Sequence, residues 1–181
     1  MVRDISKKDA ISVSVHPYPA NCSTCLVSRL YFFGLPTDFY YGGNGTGVII
    51  SSRAICANGK PRHWIDRISH KHVTDGHSST FLAGEMYVPA SGIGKSPDDA
   101  FIFDGNYLFN SCRVGGPTVP IATNRNAATG NGLVSWGSWH PHGCHFAMCD
   151  GSVRAIASSL DTEILGRLCN RRDGQSATIG P

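Results

Sequence analysis

Apolar and polar positions change over in short blocks along this chain rather than in long periodic stretches, so the pattern predicts brief strands joined by turns. ISVSV at 11–15 alternates β-branched residues with serine and reads as an extended arm or edge strand. Two apolar runs follow: RLYFFGL at 29–35, closed by Pro36, and GTGVIIS at 45–51, led by glycines. YYGGNGTG between them reads as a turn whose glycines supply positive φ, because it has neither the glycine spacing nor the Gly-Lys-Ser/Thr ending of a phosphate loop. TFLAGEMYV at 80–88 reads as a strand entered from an Asp75-Gly76 turn. From 90 to 135 the chain is loop-rich, with ordered pieces expected only around AFIFD (100–104) and TVPIA (118–122).

The carboxy-terminal third carries the clearest pattern. HFAMC, then Asp150-Gly151, then SVRAI is two short strands joined by two residues that tolerate positive φ, the strongest hairpin signal at short range. Alternation puts Phe146 and Met148 on one face of the first strand, and Val153 and Ala155 on one face of the second. SSLDTEILGRLCN at 158–170 then shows a helical period. Asp161 is its N-cap, Ile164, Leu165, Leu168 and Cys169 form its apolar face, and Arg167, Arg171 and Arg172 lie near the end where the helix dipole favours cations. Together these predict one α+β domain: an antiparallel sheet, short flanking helices, long loops and a C-terminal hairpin plus helix. The expected divisions are an arm or edge strand at 1–25, a globular domain at 26–175 and a tail at 176–181.

Composition narrows the function. A chain of 181 residues is long enough for one well-buried core. A charged fraction of 16% is low, and a net charge of +3 with scattered basic residues argues against nucleic acid as a partner. RISHKH and NRRDG read as solvated surface. No run approaches the roughly 20 apolar residues a membrane span needs, and MVRDISKKDAISVSV lacks the apolar centre of a signal peptide. Taken alone, this reads as a soluble cytosolic chain.

Seven cysteines leave at least one unpaired within the chain. Cys22 and Cys25 form a lone C-x-x-C. It has no second pair for a zinc ribbon, and it follows a loop rather than a strand, so a disulfide leads over free thiols and metal. Asn21 and Asn44 open N-x-S/T triplets and are glycosylation candidates. GHSST has Thr80 where a nucleophile elbow needs glycine, so Ser78 is not expected to be a nucleophile.

Two segments carry a resemblance. GSWHPHGCHFAMCDGSVRAI contains His140, nine residues, then Asp150-Gly151, preceded by Gly137 and Ser138 and followed through Pro141 and Gly143. VTDGHSSTFLAGE supplies Asp75, Gly76, Ser78, Thr80, Gly84 and Glu85. Over roughly residues 15 to 175 the chain resembles a pilin-like family abundant in planctomycetes, the family of the domain of unknown function DUF1559. His142 departs from the family pattern, which has glycine there. The resemblance implies a pilin-like globular head acting outside the cytoplasm, at the cell surface or envelope. It implies a non-enzymatic structural subunit that self-associates into an oligomer or filament, or serves as a pseudopilin-like part of a secretion apparatus. Family members normally begin with a prepilin leader and a long hydrophobic helix, which this sequence as written does not show. Association would then use sheet edges, the N-terminal arm or surface loops.

His140, His142 and His145 offer an alternative: a zinc site, hence a metal-binding module or metal-dependent hydrolase. Pro141 and Gly143 favour a turn there, and only His140 belongs to the family pattern. The leading expectation is therefore a structural hydrogen bond from His140 to Asp150, with no cofactor. Glu85 and Asp75 are expected to cap backbone amides, calcium being the other cation to weigh. A carbohydrate-binding surface built on Trp136, Trp139, Tyr40 and Tyr41 is the remaining alternative.

Overall fold

The computed structural model describes residues 46–49, 53–58, 60–65, 67–95, 99, 113–117, 119–122 and 135–179. The expectations for the 1–25 arm, the 29–35 and 100–104 strands, Cys22, Cys25, Asn21, Asn44, Tyr40 and Tyr41 lie outside the described residues.

The centre of the fold is a three-stranded antiparallel sheet. Its strands are β3 (Phe81–Gly84), β4 (Gly143–Met148) and β5 (Val153–Ala157), in that spatial order. A separate antiparallel hairpin precedes it, β1 (Arg53–Ala57) with β2 (Lys60–Ile65). One α-helix follows the sheet, α1 (Thr162–Cys169). The chain is thus a single α+β domain, as the pattern predicts.

Alternation along β4 sets the layers. Cys144, Phe146 and Met148 are buried, while His145 faces out. Phe146 is the hub: Phe81 stacks on it with ring centroids 3.9 Å apart, and Trp136 meets it edge-on at 5.4 Å. Gly84 is required for this packing, because a Cβ there would sit 2.5 Å from the Phe146 ring. Ile156 from β5, Leu165 and Leu168 from α1, and Ile121 and Ala177 complete the core. Burying each such large side chain stabilises the fold by roughly 1.5–3 kcal/mol. Asp161 caps α1 as expected, its Oδ1 accepting from the amides of Glu163 and Ile164.

Several expectations need correction. The hairpin loop is one residue longer than an Asp-Gly pair predicts. The Met148 amide donates to the Ser152 carbonyl at 2.8 Å, so Cys149, Asp150 and Gly151 form a three-residue loop closed by Gly151 at φ 86°. TVPIA makes only isolated bridges at Val119 and Ala122, since Pro120 has no N–H to continue a ladder. Residues 46–49, read as part of a strand, form a bend. Arg171 is not on the surface but 2% exposed, donating through its guanidinium to the Gly47 carbonyl at 2.7 Å and through its amide to Thr46. The β1–β2 hairpin lies outside the strands that the apolar pattern predicts, although Asn-Gly at 58–59 is a turn signal in the sequence and Asn58 sits at φ 53°. Among the described residues, no helix is long and apolar enough to cross a membrane.

Candidate functional site

On the outer face of the sheet three side chains of metal-ligating type converge: Glu85, His140 and His145. One carboxylate oxygen, Glu85 Oε1, lies 3.3 Å from His140 Nε2 and 3.3 Å from His145 Nδ1. The two imidazoles meet edge to face, with centroids 5.7 Å apart. Glu85 is 7% exposed, whereas both histidines are exposed, so the cluster is a buried carboxylate roofed by two solvent-facing rings.

Each member is placed by its backbone. Glu85 follows β3 directly, and its amide donates to the His145 carbonyl at 3.2 Å. Its second oxygen, Oε2, accepts from the His145 amide at 2.7 Å. This pins the carboxylate and leaves Oε1 directed at the rings. His145 points outward because Phe146 beside it points inward. His140 sits in a loop held by Ser138, whose Oγ donates to the Gly143 carbonyl at 2.7 Å and accepts from the His140 amide at 3.1 Å. Gly137 admits this loop, since a Cβ there would meet the Ala122 carbonyl at 2.5 Å. A shallow hollow between Gly84, Ala147 and Val153 ends against Glu85 and His145.

The motif residues therefore lie in ordered sheet and turn positions, and residues 35–163 match the family described as Protein of unknown function (DUF1559). The chain belongs to that family. No curated protein and no solved structure matches it.

Within this DUF1559 chain the remaining candidates scatter. His142 is exposed and stands outside the cluster. Glu85 takes the place given to it in the expected histidine trio, a signal that lay 55 residues upstream in the Gly-Glu pair. The expected bond from His140 to Asp150 is not formed. Asp150 Oδ1 accepts instead from the amide of Ser152 at 2.9 Å and its hydroxyl at 2.7 Å. Those two bonds, the hydroxyl first, hold its carboxyl below the usual carboxylate range. Asp75 is buried and works at long range, Oδ2 accepting from the Asp173 amide at 2.6 Å and Oδ1 from the Gly174 amide at 3.0 Å.

The cysteines and tryptophans are occupied by the fold. Cys144, Cys149 and Cys169 are free thiols, with no disulfide among the described residues. Burial, then the Glu85 charge, pushes Cys144 up; burial, then Asp150, pushes Cys149 up to about 11. Burial also pushes Cys169 up to about 12. All three are shifted away from the thiolate form that nucleophilic attack requires. Trp136 is a core residue, and Trp139 is half-buried, its Nε1 donating to the Val88 carbonyl at 2.8 Å.

Proposed function

We propose that this DUF1559 chain is a non-enzymatic structural domain acting outside the cytoplasm, a pilin- or pseudopilin-like building block of a surface assembly. The observation that carries the reading is how the motif residues are used. Asp75 holds two backbone amides of the tail, Gly84 makes room for Phe146, and Asp150-Gly151 closes the β4–β5 loop. Side chains committed to the backbone favour a fold maintained for its shape. Ser78 stands in a short 3₁₀ turn at His77–Ser79 rather than at a nucleophile elbow.

Association would use the sheet. Among the described residues β5 pairs with β4 alone, and Val153 on it is 67% exposed, which suits strand addition by a second copy. Sedimentation velocity over rising concentration, followed by negative-stain electron microscopy, tests this. The expected result is concentration-dependent growth into ordered oligomers or filaments that Val153→Lys suppresses. A full chain that stays monomeric at high concentration would overturn the assembly reading.

A further inference from the structure

We propose that Glu85, His140 and His145 form a binding site for a divalent transition metal of the zinc class, with the remaining coordination open to solvent.

The distances carry this. A charge-assisted hydrogen bond between an imidazole and a carboxylate runs at about 2.7–2.9 Å; both rings stand farther off, 3.3 Å from Oε1, the His145 contact being a long hydrogen bond. Ligand atoms placed about 2.0–2.1 Å from one tetrahedral ion are roughly 3.3–3.4 Å apart. Both oxygen–nitrogen separations thus match an edge of that tetrahedron. The three donor atoms all lie within 4.8 Å of one another, and both rings are exposed and can turn to close the third edge.

The donor set and its setting agree. Two imidazoles and one carboxylate suit zinc, with nickel and copper next, and one carboxylate oxygen is too few for calcium. The Glu85 carboxylate is oriented before any ion arrives, because Oε2 accepts the His145 amide. His140 comes from a loop and His145 from β4, so an ion would also clip the 138–142 loop to the sheet. The site is independent of the assembly proposed above: an ion can bind here whether or not copies associate.

The test uses the full chain with zinc chloride, and cobalt(II) as a spectroscopic reporter. After dialysis, elemental analysis is expected to find about one zinc per chain. His140→Ala and His145→Ala should each weaken binding by about tenfold or more, while His142→Ala leaves it unchanged. Both affected histidines are exposed, so unaltered circular dichroism should accompany the loss. Cobalt-loaded protein should show ligand-field bands without thiolate charge transfer. Less than a tenth of an equivalent of zinc overturns the proposal. So does binding that survives both substitutions, a loss in His142→Ala equal to theirs, or a thiolate band, which would place the ion on cysteines.

Discussion

Asp75-Gly76 leads into β3 and Asp150-Gly151 joins β4 to β5, and the two turns lie side by side. The Asp150 amide donates to the His77 carbonyl at 3.1 Å, and the Cys149 amide to the Thr80 carbonyl at 2.9 Å. Their carboxylates nevertheless act on different scales. Asp75 is 8% exposed and fastens amides 98 and 99 residues away. Asp150 is exposed and bonds only two residues ahead. The same dipeptide closes a tail in one place and shapes a local loop in the other. What separates them is burial and reach, which the dipeptide itself does not encode.

Substitutions can break this comparison. The largest effect is expected for Asp75→Ala, which strips acceptors from two amides and loosens residues 173–179; urea unfolding should show a loss of about 2–3 kcal/mol. Gly76→Ala comes next. Gly76 sits at φ 100°, ψ 128°, a region close to glycine-only, while space is not limiting because a Cβ would meet nothing nearer than Ser79 at 3.8 Å. Backbone strain alone should cost about 2 kcal/mol in the same assay. Gly151→Ala, at φ 86° with nothing within 4 Å of the added carbon, should cost about 1–2 kcal/mol.

Asp150→Ala is expected to be the mildest, and its sign is tied to pH. The folded-state pKa is depressed by Ser152, so the stabilisation is present above the ordinary carboxylate pKa of about 4 and is lost as pH falls through the lower folded value. The wild-type and variant melting temperatures should differ slightly at pH 7 and converge in acid. A loss equal to that of Asp75→Ala would erase the distinction between the turns.

The legible parts of the sequence were those set by short-range rules. The Phe146 and Met148 alternation, the Asp161 cap and the Leu165 and Leu168 face of α1 all follow from neighbours a few residues apart. The β1–β2 hairpin is equally local but illegible in the apolar pattern, because its strands carry Arg53, Lys60, Pro61 and Arg62 rather than an apolar alternation. The site was only half legible. His140 and His145 are close in sequence, but Glu85 joins them across a strand pairing that no spacing in sequence reveals, and His142 shares only their proximity along the chain. Arg171 is illegible for the same reason: a cation after a helix suits the dipole, while its actual partners, Thr46 and Gly47, lie more than 120 residues earlier.

The central claim is that Asp75, unlike Asp150, fastens a distant part of the chain, the backbone at Asp173 and Gly174. A double-mutant cycle tests it most directly, combining Asp75→Ala with removal of residues 173–181 and reading unfolding free energies in urea. Strong non-additivity is expected, the truncation costing about 1–2 kcal/mol less in Asp75→Ala than in wild type. Strictly additive losses would mean that Asp75 and the tail stabilise the protein independently, and the claim would fail.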